Sequence, residues 1–279
     1  MPCDATLPPE LGKAIERARP RLGRLASSVL FFPSIGSTND VALGCIAKAL
    51  AASQSAKAVA ERSEGLVVIA DEQTAGRGRR GHSWFSPAGS GLYVSVVLAP
   101  ATARVDPLRA TALLTLAAGV ALAEGVEAAA GLRVALKWPN DLFVSRRKLA
   151  GILAEGAPGD AVVVGYGINV ASSAFPPEVG DRATSLETEL GRAVDRHHVF
   201  VETLAALSRR YQDLLAGRFD AILDAWRLHA PAATGARVTW TTNEGARSGV
   251  TAGIDDHGAL LVRVDDRVER IVAGEVTWV

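Results

Sequence analysis

The densest chemistry in this sequence lies between residues 71 and 87, Asp-Glu-Gln-Thr-Ala-Gly-Arg-Gly-Arg-Arg-Gly-His-Ser-Trp-Phe-Ser-Pro. The six residues from Gly76 to Gly81 hold three glycines and three arginines. Glycine lets a backbone approach a ligand closely and take positive φ. Arginine offers a rigid fork of donors that matches phosphate and carboxylate. Trp84 and Phe85 follow, with flat faces suited to stacking on a base or covering an apolar group. Such a loop is suited to closing over an anion. Gly76-x-Gly78-x-x-Gly81 formally matches a dinucleotide fingerprint, but that motif leaves a strand at once and opens a helix. Here polar and small residues intervene and a strand-like run follows. On the residues alone, a solvated basic loop and a nucleic-acid patch both stay open.

Three further segments carry chemistry. In Lys137-Trp138-Pro139-Asn140-Asp141, Pro139 keeps Trp138 out of the helical region and fixes a turn. That turn presents an amide beside a carboxylate, a pair able to meet Mg²⁺ with phosphate oxygens or an incoming amine. An ordinary Asx turn is the plainer reading. In Arg146-Arg147-Lys148, only Lys148 abuts an apolar run and can point inward, and Gly151 beyond it leaves room for a ligand. A solvated hairpin tip is the alternative. Gly165-Tyr166-Gly167-Ile168-Asn169 ends another apolar run, and its two glycines suggest either a floor for a ligand or a β-bulge.

Around these segments the elements alternate. Leu11 to Leu30 reads as a helical preface. Ser37-Thr38-Asn39-Asp40 reads as the N-cap of a helix reaching about Ala51. Residues 65–70 read as a central strand and 92–98 as a second. A long helix is expected from Pro107 to about Glu127. Strands are expected over 134–137, 142–144, 149–155 and 161–170, then helices near 198–216 and 219–229. After Pro231 the pattern changes to short β runs at 238–241, 250–254, 259–264 and 268–272. Turn residues separate them, including Asn243-Glu244-Gly245, which suggests a small appended antiparallel barrel. The Ala-rich stretch from Ala47 to Ala60 is the nearest thing to low complexity.

Composition narrows the class. The 279 residues carry 30 Lys plus Arg against 30 Asp plus Glu, so no global basic field recruits nucleic acid or a membrane surface. Two cysteines, Cys3 and Cys45, make neither a disulfide framework nor a metal cluster, and a reducing cytoplasm is expected. The apolar run from Ala110 to Ala123 is too short to span a bilayer and reads as a buried helix.

Taken together, five motifs resemble the bacterial biotin protein ligases. They are Gly36-Ser37-Thr38-Asn39, the run from Gln73 to Gly81, Lys137 to Asp141, Arg147 to Ile152, and Gly165-x-Gly167-Ile168-Asn169. The resemblance runs from about Phe31 to Val279. It implies an α+β fold: a mixed β-sheet flanked by helices, like that of class II aminoacyl-tRNA synthetases, with a small C-terminal SH3-like β-barrel. The implied division is an N-terminal helical extension (1–30), a catalytic domain (31–230) and the C-terminal domain (231–279). The implied reaction joins biotin and ATP into biotinyl-5′-AMP, then passes biotin to a lysine of a biotin carboxyl carrier protein of acetyl-CoA carboxylase or a related carboxylase.

By the same resemblance, Ser37, Thr38, Asn39, Gln73, Gly76, Arg77, Lys148, Gly151, Gly165 and Ile168 bind biotin. Arg79, Arg80, His82, Trp84, Asn140, Asp141, Ile152 and Asn169 serve ATP. Lys148, Arg79 and Asp141 are the catalytic set, and Asn140 and Asp141 meet Mg²⁺ through the phosphates. Position 82 departs from the family, where arginine is usual, and Arg80 is a candidate substitute. Some members carry a DNA-binding winged helix ahead of the ligase domain. Only about thirty residues precede the first motif here, so a monofunctional ligase without DNA or membrane binding is expected, with a homodimer left open. The nearest rival is a lipoate–protein ligase, in which an Arg-Gly-Gly-Gly-type loop is expected.

Overall fold

The computed structural model describes residues 7–53, 55–172, 175–176, 179–243 and 245–279. Its main sheet has seven strands in the order β1-β2-β3-β7-β6-β5-β4. These are β1 (Ser28–Phe32), β2 (Leu66–Ala70), β3 (Gly91–Leu98), β4 (Ala135–Lys137), β5 (Asp141–Val144), β6 (Arg147–Ala157) and β7 (Ala161–Asn169). Only β1 and β2 run parallel.

Strand alternation decides what each face meets. From β3 and β7, Leu92, Val94, Val96, Leu98, Val164, Tyr166 and Ile168 join the large core. Over that face lie α1 (Pro9–Leu22), α4 (Pro107–Ala130), α6 (Arg196–Leu215) and α7 (Phe219–His229). The long apolar helix α4 is mostly buried, in keeping with residues that are apolar nearly all round. Asp106 caps its start by accepting from the Arg109 amide, and Gly131, at φ 71°, ends it. Among the described residues it is the one helix long and apolar enough to cross a membrane, and 67% of its most apolar window is buried in the protein.

The opposite face carries a smaller cover, α2 (Thr38–Ala51) and α3 (Ala56–Ser63). Ala42, Ile46, Val59 and Ala60 from these helices pack on Val68, Val97, Ala161 and Val163. The cover stops there. Further along β7 and β6 the same face offers Gly165, Gly167 and Gly151, and a cleft begins where side chains end.

Several expectations need correction. The N-terminal helix ends at Leu22, and Ser28–Leu30 belong to β1. Gly23 and Ala26 at φ 56° and 57° break the helix, and a β-branched and aromatic run follows. β1 crosses the boundary expected at residue 30, and α1 packs on α6. The strand at 66–70 lies second from the sheet edge, since β1 covers it. α3 begins within the Ala-rich stretch, and a short helix, α5 (Leu186–Leu190), follows β7. Cys3 and Glu244 lie outside the described residues.

The C-terminal part is a five-stranded antiparallel sheet, ordered β11-β10-β9-β8-β12. Its strands are β8 (Thr234–Thr242), β9 (Gly245–Ile254), β10 (Leu260–Val264), β11 (Arg267–Ile271) and β12 (Val276–Trp278). It is fastened to the main sheet beside the Lys137–Asp141 turn. The Trp138 indole donates to the Gly258 carbonyl at 2.9 Å. Lys137 Nζ lies 5.3 Å from the Phe143 ring and 5.2 Å from that of Trp278. Burial lowers the Lys137 pKa, while Asp141 and Glu275 oppose that shift.

Candidate functional site

The arginine–glycine segment folds as a narrow hairpin. The Trp84 amide donates to Gly76 O at 2.8 Å, Arg77 pairs with Ser83, and the Gly78 amide donates to His82 O at 2.6 Å. Arg79, Arg80 and Gly81 form the tip, with Arg80 at φ 55° and Gly81 at 81°. Gly76 is required by packing, since a Cβ there would sit 2.4 Å from Trp84 O. No helix opens after the loop, as the rejection of the dinucleotide fingerprint anticipates.

The hairpin leans over the glycine-lined face. Together with the start of α2 it encloses a cleft of about 470 Å³, counting the space that opens to solvent. One wall is the N-terminus of α2. Ser37 makes no side-chain cap bond there. The Gln73 amide oxygen does that work, accepting from Thr38 N at 2.9 Å and from Thr38 Oγ1 at 3.1 Å. Gln73 Nε2 donates to Ser86 Oγ at 3.0 Å, which leaves its second amide hydrogen for a ligand. Ser37, Thr38 and Asn39 are all buried, so this end of the cleft is polar and largely shielded from water.

The other end is cationic. Lys148 Nζ lies 2.7 Å from Asp141 Oδ1, an ion contact not aligned as a hydrogen bond. The same ammonium is 5.5 Å from the centre of the Trp84 ring. Arg79 Nη1 donates to Asn140 Oδ1 at 2.9 Å, and Asn140 Nδ2 donates to Ile152 O at 2.8 Å. Burial pulls the Arg79 pKa down from its ordinary value, with Asp141 opposing, and the group stays a cation. Trp84 packs against the floor. A Cβ on Gly167 would be 2.2 Å from its Nε1, and one on Gly151 would be 3.1 Å from its ring. That Nε1 is buried and has no hydrogen-bond partner.

Most of the expected residues converge here: Ser37, Thr38, Asn39, Gln73, Arg77, Arg79, Trp84, Asn140, Lys148, Gly151, Ile152 and Gly165 all line the cleft. Asp141 joins them through Lys148. Others do not. Ile168 is buried in the large core on the far face, because alternation sends its side chain away from Gly165 and Gly167. Ile152 likewise joins that core, so it meets the cleft through its backbone. Asn169 Nδ2 donates to Thr184 O at 2.9 Å, outside the cleft. Gly76 sits at the hairpin base, and Arg80 and His82 lie outside the lining. His82 is exposed, its Nε2 3.9 Å from Glu275 of the C-terminal sheet.

The Asn140–Asp141 pair does not fit a magnesium site as these side chains stand. The Asn140 oxygen faces the Arg79 guanidinium, and an Asp141 oxygen faces the Lys148 ammonium. Among the described residues no group of three metal-ligating side chains exists elsewhere. Reasoning from the sequence missed Ser95, which is fully buried beneath the cleft, and Glu155, which contacts both Asn39 and Arg77. Ser95 had a signal: it is a small hydroxyl-bearing side chain in a buried strand that otherwise, Tyr93 apart, holds only apolar residues.

Comparison with known proteins agrees with this geometry. Residues 31–169 match the Biotin/lipoate A/B protein ligase family, and residues 234–277 match the Biotin protein ligase C terminal domain. The biotin–[acetyl-CoA-carboxylase] ligase of Paracoccus denitrificans is 38% identical over 219 residues, covering 75% of this chain and 88% of that protein.

The chain belongs to the biotin protein ligase family.

Another family member, the bifunctional ligase/repressor BirA of Bacillus spizizenii, is also 38% identical over 219 residues, covering 76% of this chain. The match spans only 66% of that relative's length. Among solved structures, the biotin protein ligase from Aquifex aeolicus in complex with biotin and ATP superposes with a TM-score of 0.71 at 28% identity, covering 90% of this chain and 98% of that one. The fold is thus that of the biotin ligases, a mixed sheet flanked by helices with an antiparallel C-terminal sheet.

Proposed function

We propose that this biotin ligase family member joins biotin to ATP and then transfers biotin to a lysine of a carboxyl carrier protein. The observation that carries the reading is the polarity of one cleft. A shielded neutral end built from Ser37, Thr38 and Gln73 lies opposite a cationic end built from Lys148 and Arg79. A ureido ring needs the first and a carboxylate meeting a phosphate needs the second.

In the first step a biotin carboxylate oxygen attacks the α-phosphorus of ATP, and the bond to pyrophosphate breaks. Lys148 neutralises charge that grows on the transferring oxygens, and Arg79 holds the phosphates, both as fixed donors in a partly dry site. Trp84 serves as a flat face for the adenine. In the second step the acceptor amine attacks the anhydride carbonyl and AMP leaves. Asp141 fixes the Lys148 ammonium and is the carboxylate placed to take the amine's proton. No step is assigned to a metal-bound group, because the Asn140–Asp141 pair is occupied by cations of the chain itself.

The carrier, the cytoplasmic setting and the division near residue 230 belong to the same proposal. So does the absence of a repressor role, which the zero net charge supports. Salt-sensitive binding to one operator sequence at sub-micromolar protein would overturn that last element. The biotin reading is tested by calorimetry with biotin and with lipoate. Heat of binding from biotin alone is expected, and a preference for lipoate would reverse the assignment.

A further inference from the structure

Arg77 lies two positions before Arg79, on the arm of the hairpin rather than at its tip, and has different neighbours. Its Nη2 donates to Asp40 Oδ1 at 2.7 Å and to Glu155 Oε2 at 2.8 Å. Two carboxylates already answer its charge, so it is poorly placed to hold a ligand's anion. The same Glu155 oxygen accepts the Asn39 amide at 2.6 Å. Asn39 Nδ2 also reaches Leu153 O at 3.3 Å, and Asn39 Oδ1 accepts from the buried Ser95 hydroxyl at 2.5 Å. Ser95 Oγ lies 2.7 Å from Thr38 Oγ1 as well, the hydroxyl held by Gln73.

The placement follows from the sheet. Gly151, Leu153 and Glu155 alternate onto one face of β6, opposite Gly167, Gly165 and Val163 of β7. Glu155 therefore stands where the glycine floor ends and α2 begins, within reach of the hairpin that crosses both. A buried amide with all its partners met has one favourable arrangement, so the wall of the cleft depends on Glu155.

We propose that Glu155 is a positioning residue that fastens the arginine–glycine hairpin to the cleft wall through Arg77. Closing the hairpin and orienting Thr38 and Asn39 then become one event. The consequence for biotin rests on the function proposed above; the fastening itself does not.

The experiment uses the full chain and two readouts. The first is the rate of tryptic cleavage after Arg79 and Arg80, followed by mass spectrometry without ligand. The second is the separate measurement of kcat and of KM for biotin in adenylate formation. Glu155→Gln keeps an oxygen for Asn39 and removes the charge facing Arg77. Because Asp40 still holds the arginine, cleavage should rise by roughly three- to tenfold, with KM for biotin rising similarly and kcat within about twofold. A merely structural lesion would lower kcat through loss of folded enzyme and leave KM alone. Arg77→Gln, at a side chain 40% exposed, leaves the core untouched and, because it loses Asp40 as well as Glu155, should give the same two effects at least as strongly. The double variant should match Arg77→Gln, because Glu155 then has no guanidinium left to hold. Unchanged cleavage in both single variants, or a double variant whose effect is the product of the two, would overturn the fastening. Raised cleavage with an unmoved KM would overturn the coupling to the ligand wall. If the wild-type chain shows no biotin-dependent use of ATP, the proposed function fails, while the cleavage rates still decide the fastening.

Discussion

Two glycines on one strand should respond oppositely to the same added methyl group. A Cβ on Gly165 would lie 2.1 Å from Asn39 Oδ1 and 2.8 Å from Asn39 Cγ. A comfortable contact needs about 3.5 Å, so the Asn39 oxygen must retreat by roughly 1.4 Å. It cannot do so without breaking bonds, because it is buried and tied to Ser95, Glu155 and Leu153 O. Overpacking costs about 1–3 kcal/mol, and a buried polar group left unpaired costs about 1–3 kcal/mol more. Gly165→Ala should therefore lose roughly 2–6 kcal/mol, or about 4–24 °C in Tm for a protein of this size. On Gly167 the Cβ would lie 2.2 Å from Trp84 Nε1, an atom with no hydrogen bond to lose, on a hairpin that opens to solvent. Gly167→Ala should displace the indole at a cost below about 1.5 kcal/mol, less than overpacking a closed core. The assay is thermal melting of both variants, with tryptophan emission compared against the same changes in a Trp84→Phe background. Equal losses of Tm in the two variants would refute the reasoning, as would a Gly167→Ala emission change that persists without Trp84.

Other expectations follow from the same geometry. Lys148→Ala should lower adenylate formation by at least about two orders of magnitude, the usual worth of one preorganised donor to developing charge. Arg147→Ala should be mild, because Arg147 is paired with Glu189 at 2.7 Å, and the reverse ranking would void the assignment. Arg79→Gly should still form the adenylate but release it about ten- to a hundredfold faster, since charged hydrogen bonds contribute roughly 1.5–3 kcal/mol each. Biotin appearing on an inert, lysine-rich bystander protein is the readout, and full selectivity would show that Arg79 is not the clasp. In the C-terminal sheet, burial pushes the Asp255 carboxyl upward, but donors from Arg270, Ala259 and His257 hold it below its ordinary pKa. A depressed carboxylate pKa stabilises the fold above its unfolded value and loses that contribution as pH falls through the folded one. Denaturant midpoints should therefore fall on acidification below about pH 4 and fall less in Asp255→Asn. Parallel acid limbs for the two proteins would argue against it.

The cleft was largely legible because its residues sit in short runs whose types announce chemistry. Gln73 to Gly81, Lys137 to Asp141 and Lys148 to Gly151 each keep ligand-facing groups within a few positions. What sequence could not give is which charges meet. Arg77 reads as an anion clamp, yet its partners Asp40 and Glu155 are 37 and 78 positions away, and only the sheet brings them near. Ile168, expected at the floor, instead has its side chain in the large core. Alternation from Gly165 and Gly167 already sends position 168 to the opposite face. The helix α3 was hidden in an alanine-rich stretch, and β12, at three residues, is too short for a periodic pattern to mark.

The central claim is that one cleft holds biotin and ATP and joins them. The most direct test is to incubate the full chain with biotin, ATP and Mg²⁺ and to quantify biotinyl-AMP and pyrophosphate by mass spectrometry, then add a carboxyl carrier domain. The account predicts equal amounts of the two products, their loss in Lys148→Ala, and transfer of biotin to a single carrier lysine. Pyrophosphate release that does not depend on biotin, or an adenylate formed from lipoate in its place, would contradict it.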